Sequence, residues 1–318
     1  WSLPAGRNRY KSMIENHVGL PLNADEIHAT GLKEVKRIRI AMEKTKNEIG
    51  FKGSLDAFHT HLKTHPRFYF KNTQTMMNAY EKTLKKSHTI LPALFTKLPK
   101  TPVAIKQIEA YRAKSAPQAY YYSAPKDGSR PGYFYVNTYD LKSRPNYTMT
   151  ALTLHEAVPG HHMQIALSQE QPKWPFFRQN MRVTAYVEGW GLYAESLGYK
   201  SGMYTDLYQK YGALTFEMWR ANRLVIDTGL HHKQWTRQQA FDFMKKYTPN
   251  SDLDIRSEVD RYISWPGQAL AYKMGELFIH KLRNKAQISL GTSFDIRAFH
   301  DKILGAGALP LPLLEKQM

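Results

Sequence analysis

An apolar stretch over residues 149–167 contains the feature that most constrains how this chain folds. Within it lies the sequence His155-Glu156-Ala157-Val158-Pro159-Gly160-His161, and charge is otherwise absent from the stretch. Ionisable side chains are costly in an apolar environment unless a partner or a metal ion compensates them. The stretch therefore predicts a buried helix, over about residues 147–169, whose polar groups share a common partner.

The spacing of the two histidines is close to the H-E-x-x-H zinc signature, in which one helical turn places both rings on one face. Here the second histidine comes two residues late, so an ideal helix would turn His161 away from the face of His155. Pro159 breaks the helical hydrogen-bond ladder and Gly160 tolerates a turn, so together they can bring His161 back. We therefore predict a kinked helix whose two histidines bind one ion.

His162 is the alternative to His161 as the second ligand. It follows His155 by seven residues and returns to the same helical face. It would lie about two turns, ~10 Å, further along a straight helix, which is too far to share one ion. His161 is therefore favoured, while a kinked buried helix with no metal remains the structural alternative.

A later helical run, residues 186–195, supplies carboxylates in another apolar and aromatic setting. Glu188 would be costly there without a partner, and a divalent cation would remove that cost. Glu195 lies seven residues on, on the same helical face, where it could hold the free ring N–H of a ligand histidine. An ordinary salt bridge is an equally good interpretation of Glu195.

Together these motifs resemble a bacterial zinc-peptidase-like family known as domain of unknown function 885. The resemblance implies helical metallopeptidases of the gluzincin kind, with one zinc ion and a peptide substrate. Family members are about twice as long, so the chain is interpreted as the C-terminal catalytic half, with the missing N-terminal half as a partner. The resemblance rests on the segments 155–161, 188–195, 223–231, 261–262, 266–269 and 272–273.

Zinc held by His155, His161 and Glu188 would keep one position open for water, which is the catalytic pattern. The ion lowers the pKa of that water towards about 7. Glu156, next to a ligand, can then take the proton as general base. The expected reaction is peptide-bond hydrolysis, with hydrolysis of a non-peptide amide or ester as the alternative.

The C-terminal third offers donors for the oxyanion that such a reaction develops. Tyr262 and Tyr272 flank the substrate-binding candidate Gln268, and the resemblance singles out both tyrosines. Tyr272 is preferred, because related helical zinc peptidases use a tyrosine from a late helix. Either tyrosine could instead be an aromatic core residue. His231, at a helix end, could assist the oxyanion or simply interact with the helix dipole.

Two further residues are candidates for binding substrate. Asn137 ends a predicted strand and could contact a peptide group, although a turn Asn that satisfies its own backbone is slightly favoured. Arg223 could bind a substrate carboxylate through two hydrogen bonds. The favoured interpretation of Arg223 is an internal pair with Asp227, one helical turn later.

The rest of the chain predicts a mainly α, multi-helix protein with a small β-sheet just before the metal-binding helix. Residues 1–100 form an N-terminal helical part and residues 101–318 the metal-binding part of one continuous domain. The predicted strands are 103–105, 119–122 and 132–137. The predicted helices include 23–48, 182–198, 203–230, 236–247, 252–264, 267–286 and 293–304.

Composition narrows the function further. The chain has no Cys, so a metal must be held by His and carboxylate. The net charge is +18, and residues 1–114 hold 21 Lys and Arg against 9 Asp and Glu, so most of the excess lies away from the metal motif. A basic, non-enzymatic binding domain is therefore the third hypothesis, but no nucleic-acid-binding signature appears. No membrane span is predicted, and an exported or periplasmic location is slightly favoured over the cytoplasm.

Overall fold

Helices form most of this protein, which confirms the mainly α prediction. The structure is a computed structural model and describes residues 4–171 and 174–318. The helices are α1 (Gly6–Val18), α2 (Ala24–Ile49), α3 (Leu55–Thr64), α4 (Thr73–Thr89), α5 (Leu91–Leu94), α6 (Ala110–Ala113), α7 (Met149–Glu156), α8 (His161–Gln169), α9 (Phe176–Asn180), α10 (Thr184–Leu197), α11 (Leu207–His231), α12 (Arg237–Tyr247), α13 (Asp252–Ser264), α14 (Ala271–Leu290), α15 (Ile296–Gly305) and α16 (Leu311–Gln317).

A small three-stranded sheet precedes α7, as predicted. Its strands are β1 (Val103–Gln107), β2 (Ala119–Tyr122) and β3 (Gly132–Val136). The strand order is β1-β3-β2, with β1 parallel and β2 antiparallel to β3. β2 is therefore an edge strand of this sheet, and it lies against α7.

Two pairs of helices build the frame around α7. The long helix α11 packs along α2, and α10 packs along α14. The second pair approaches closely at two glycines: a Cβ on Gly189 would lie 2.5 Å from the backbone of Gly275, closer than any contact allows. Because α10 carries Glu188 and Glu195, this close packing of α10 against α14 fixes where both carboxylates lie relative to α7.

Side-chain caps start the helices that the sequence indicated. Asn23 accepts a hydrogen bond from the backbone N–H of Glu26, whose carboxylate accepts from the N–H of Asn23 in turn. Thr236 and Ser251 cap α12 and α13 in the same position. Such caps satisfy N–H groups that have no partner inside the helix, so they set where each helix begins. Within the described ranges, every helix is too short or too polar to cross a membrane.

Candidate metal centre

The single helix predicted over residues 147–169 is wrong, because the chain forms two helices there. α7 ends at Glu156 and α8 begins at His161. Between them the backbone leaves the helical region, with ψ of −112° at Ala157 and −130° at Gly160, and the Val158–Pro159 peptide bond is cis. A side chain at position 160 would place its Cβ 1.9 Å from the carbonyl oxygen of His155, so the turn requires glycine.

This turn brings His161 beside His155. Their ring centroids are 4.6 Å apart and the ring planes are nearly perpendicular, at 85°. The Oε2 of Glu188 lies 3.7 Å from the Nε2 of His155 and 3.4 Å from the Nε2 of His161. In a tetrahedral zinc site with ~2.0 Å bonds, neighbouring ligand atoms are roughly 3.3 Å apart. The three side chains therefore have a spacing that fits one small divalent ion.

Glu156 is the second carboxylate at this centre. One of its oxygens and a ring nitrogen of each histidine lie within 4.8 Å of one another. Glu188 makes the shorter contacts, with the Nε2 atoms of both rings, and is therefore the better third ligand. Glu156 is left close to the same point, where it can exchange a proton with a bound water.

Glu195 orients the first histidine. Its Oε1 lies 2.8 Å from the Nδ1 of His155, and because an ionised carboxylate only accepts, Nδ1 is the donor. This contact leaves the Nε2 of His155 free to bind a metal, the arrangement common for ligand histidines. The Nη2 of Arg220 lies 3.2 Å from the same oxygen. Glu195 is a positioning residue, held from the side away from the ion.

His161 has a different neighbour. The amide nitrogen of Gln164 lies 2.9 Å from its Nδ1 and also donates to the carbonyl oxygen of Val187. A metal at the Nε2 of His161 requires the ring proton on Nδ1. Binding therefore requires Gln164 to turn its amide oxygen towards this ring and give up its hydrogen bond to Val187.

The carboxylates make this centre short of positive charge. Burial opposes protonation of His155, but its hydrogen bonds with Glu188 and Glu195 outweigh burial and raise the pKa of His155 to about 9. Burial likewise disfavours the charge of Glu188, yet His155 and His161 hold the pKa of Glu188 well below its usual range. The centre favours a cation. A divalent metal would both supply the missing positive charge and bind the ring nitrogens and the carboxylate.

The two histidines open into a cavity of about 560 Å³. One wall is the edge strand β2 with its flanks, residues 117–123. Tyr272 forms another part of the lining, with its ring stacked at 6.4 Å and 20° against the ring of His155. A cavity of this size holds several residues of a peptide or one small molecule.

His162 faces away from this centre. The Thr101 carbonyl oxygen accepts a hydrogen bond from its Nε2 at 3.1 Å, so its Nδ1 accepts from the hydroxyl of Tyr121 at 2.9 Å. Burial lowers the pKa of His162 to about 4, which keeps this ring neutral. Of the two adjacent histidines, the structure brings His161 and not His162 to His155.

The substrate-binding prediction for Asn137 is wrong. Its side chain is fully buried, and its Nδ2 donates to the carbonyl oxygens of Ala113, Ala116 and Pro117. Its Oδ1 accepts from the backbone N–H of Tyr139. Asn137 therefore ties the loop after α6 to the end of β3 and has no free group for a substrate.

Tyr262 and His231 also lie outside the cavity, so their predicted catalytic roles are wrong. The Tyr262 hydroxyl donates to Glu258 at 2.7 Å and accepts from Arg223 and Trp219. It has no capacity left for an oxyanion. His231 uses its Nε2 on the carbonyl oxygen of Tyr262, at 2.9 Å.

Gln268 does not line the cavity either, which corrects its substrate-binding assignment. It is buried, and its Oε1 accepts from Arg261 at 3.1 Å. Its Nε2 lies 3.5 Å from the hydroxyl of Tyr272, at the limit of a hydrogen bond. Gln268 supports two residues that do face the cavity.

Arg223 lines the cavity, but its favoured partner was wrong. Its Nη2 pairs with Glu258 at 2.9 Å rather than with Asp227. Asp227 instead accepts hydrogen bonds from the Tyr10 hydroxyl at 2.6 Å and from the backbone N–H of Gly267. The partners come from α13, α1 and the turn before α14, so helical spacing could not reveal them.

Two residues beside the ligand histidines were not predicted from the sequence: Arg220, which contacts Glu195, and Gln164, which contacts His161. A usable signal was present for Arg220. It precedes Arg223 by three residues in an apolar helix, and helix periodicity places both side chains on the same face. No comparable pattern marked Gln164.

Comparisons with known proteins place this chain in a family. A family model described as "Bacterial protein of unknown function (DUF885)" matches residues 1–318. No curated protein matches the chain.

Two solved structures share the fold. A "putative lipoprotein" from Colwellia psychrerythraea superimposes with a TM-score of 0.97 and 37% identity, over 100% of this chain and 55% of that chain. A "putative lipoprotein of unknown function" from Shewanella oneidensis gives a TM-score of 0.84 and 19% identity, over 97% of this chain and 59% of that chain. At 19% identity the second likeness shows the fold alone. This chain spans less than two thirds of either protein.

Proposed function

Because this chain belongs to the bacterial DUF885 family, described as of unknown function, we propose its activity from its own site: it is a zinc-dependent peptidase. One observation carries the proposal. The Nε2 atoms of His155 and His161 both lie within 3.7 Å of one oxygen of Glu188, at the spacing of ligands around a single ion. Two histidines and one glutamate are the ligand set of catalytic rather than structural zinc.

The side chains around this centre suit hydrolysis. When bound, the ion would polarise a substrate carbonyl and make a water acidic enough to ionise near neutral pH. Glu156 would take the proton of the attacking water and pass it to the leaving amine. Glu195 would hold His155 in the required tautomer. Tyr272, in the cavity wall, would donate its hydroxyl to the oxyanion that develops on the substrate.

The edge strand favours a peptide as the substrate. In the described sheet, β2 pairs with β3 on one side, and β2 also lines the cavity. An extended peptide can add to such an edge through main-chain hydrogen bonds. A small amide or ester would use the same centre but gain nothing from the strand.

We further propose that the protein acts outside the cytoplasm. The two similar structures are described as putative lipoproteins, which fits an exported location. Both are longer than this chain, so we propose that the additional segment of a full-length relative completes the substrate cleft.

The experiment is a comparison of metal content and peptide cleavage in matched glutamate variants. Glu156→Gln should keep its metal and lose about 10²–10⁴-fold in rate, since it removes a proton acceptor and no metal ligand. Glu81→Gln, an exposed change in α4, is the control and should match the wild type. Chelation should abolish cleavage and zinc should restore it.

Two results would contradict the proposal. Full activity of Glu156→Gln would show that Glu156 is not the general base. Cleavage that survives complete metal removal would show that the reaction does not use the ion. Metal-dependent hydrolysis of small amides or esters, with no cleavage across a peptide panel, would select the alternative substrate class.

A further inference from the structure

Four arginines line the cavity, namely Arg182 before α10 and three others. Arg220 and Arg223 lie on α11 and Arg261 on α13. The two on α11 are deeply buried, with 5% and 3% of their surface exposed. A guanidinium group does not lose its charge in proteins, so four permanent positive charges line this space, and Arg220, Arg223 and Arg261 are the ones considered below.

Each of these arginines keeps a buried N–H group without an acceptor. In the described residues, the Nε of Arg220, the Nη1 of Arg223 and the Nε of Arg261 have no hydrogen-bond partner. A buried donor of this kind is destabilising, and more so when it is charged. All three belong to side chains that line the cavity, so an acceptor brought there by a ligand can satisfy them once these side chains turn towards it.

These arginines share their acidic partners. Glu195 lies 3.2 Å from Arg220, and Glu258 lies 2.9 Å from Arg223 and 3.4 Å from Arg261. Two carboxylates therefore serve these three guanidinium groups, and Glu195 is shared with His155. A carboxylate on the substrate would give the arginines a further acidic partner.

Arg220 and Arg223 each lie one side chain away from the ligand His155. Arg220 shares the Oε1 of Glu195 with His155. The Cζ of Arg223 lies 4.3 Å from the centroid of the Tyr272 ring, which in turn stacks on the ring of His155. A carboxylate bound by these arginines would therefore belong to a substrate residue close to the bond being cleaved.

We propose that Arg220, Arg223 and Arg261 form a carboxylate-binding subsite that selects substrates with a carboxylate close to the scissile bond. The carboxylate is either the C-terminus of the peptide or an Asp or Glu side chain, since both present the same group to the planar guanidinium fork. The inference rests on the proposed peptidase function, because it takes the ligand to be a peptide at this centre.

The test measures binding rather than cleavage. In the Glu156→Gln background, calorimetry would compare acetyl-Ala-Ala-Phe as the free acid and as the amide. A second pair, acetyl-Ala-Glu-Ala-amide and acetyl-Ala-Gln-Ala-amide, tests the side-chain source. We expect the acidic member of at least one pair to bind roughly thirtyfold more tightly or better.

Arginine variants then locate the subsite. Arg223→Gln and Arg261→Gln should each reduce the acid preference at least about tenfold, while metal content stays that of the parent. Arg261 is the safer change, because its side chain is 31% exposed. Arg256→Gln, an exposed arginine of the same helix, is the control and should keep the preference.

Equal affinity within both peptide pairs would overturn the subsite, and so would an acid preference that survives both arginine variants. These outcomes are separate from failure of the peptidase proposal. A wild-type protein that cleaves no peptide but retains the acid preference would refute the reaction alone. Metal-dependent cleavage with no acid preference would refute the subsite alone.

Discussion

The metal centre and a second buried cluster of charges on the same frame are built in opposite ways. The second, which we call the lysine cluster, consists of Lys273 with Glu34, Glu217 and Glu276. The Nζ of Lys273 lies 3.2, 2.8 and 2.6 Å from their respective carboxylate oxygens. These residues come from α2, α11 and α14, so the cluster joins three helices around a cation that the chain supplies itself.

The metal centre has carboxylates but no such cation in contact with Glu188. Among the described residues, the ionic contacts of Glu188 are with His155 and His161. Imidazoles become cationic only by taking up protons, which is why the carboxylates raise the pKa of His155. The comparison teaches that a buried acidic cluster with its own lysine is structural, whereas a carboxylate that meets imidazoles, which are cationic only when protonated, is suited to an ion from solution.

The largest expected effect is in the lysine cluster. Burial disfavours the charge of Lys273, but the three glutamates outweigh burial and raise its pKa. Lys273→Met should therefore leave the buried Glu276 without its lysine, while Arg37 still pairs with Glu34 and Glu217. The change should cost about 3–5 kcal/mol in the free energy of unfolding, measured by urea denaturation. Lys281→Met, an exposed change on the same helix, should cost less than about 1 kcal/mol. Equal stability of the two variants would contradict a structural role for the cluster.

A smaller effect is expected from Glu195, which supports the metal centre without binding the ion. Glu195→Gln keeps a hydrogen-bond acceptor for His155 but removes the negative charge. Metal affinity should fall about 10–100-fold, measured by competition with a chelator. The Glu81→Gln variant should leave that affinity unchanged. An unaltered affinity in Glu195→Gln would show that Glu195 forms only a salt bridge.

The smallest effect concerns Asp227, a buried carboxyl whose hydrogen-bond partners, Tyr10 and Gly267, are neutral. Burial raises its pKa to about 7, and the hydrogen bonds from Tyr10 and Gly267 lower it only in part. The folded state therefore holds this proton more tightly than the unfolded chain. Stability should fall as pH rises towards 7, by about 1 kcal/mol between pH 6 and pH 7.

Asp227→Asn has no proton to lose, so the difference in unfolding free energy between wild type and this variant should shrink over the same pH range. Urea denaturation at pH 6 and pH 7 measures it. A pH-independent difference would show that Asp227 does not change its protonation state over this range.

Local patterns in the sequence predicted the parts of the fold and the site that depend on local chemistry. Asn23 caps α2, and the strands before α7 form a sheet, because capping and β-branched or aromatic runs act over a few residues. The seven-residue spacing of Glu188 and Glu195 predicted that they share one face of a helix, and in the structure both contact His155.

The parts that failed depend on partners distant in sequence. Asn137 is held by carbonyl groups of a preceding loop, and Tyr262 is held by α11. A polar residue in an apolar helix shows that it needs a partner but not which one. For this reason Asp227 was predicted as the partner of Arg223, whereas its partner in the structure is Glu258. The sequence predicted a kink at Gly160, but the chain forms a turn between two helices there. The close contact of Gly160 with the carbonyl of His155, which the turn requires, exists only in the folded chain.

The most direct test of the account uses the adjacent histidines, His161 and His162. Both are buried and lie next to each other in the chain, but only His161 approaches His155 and Glu188. His161→Ala should lose bound zinc, measured by elemental analysis of the purified protein, whereas His162→Ala should retain about one ion per chain. Full zinc content in His161→Ala together with its loss in His162→Ala would contradict the proposed centre.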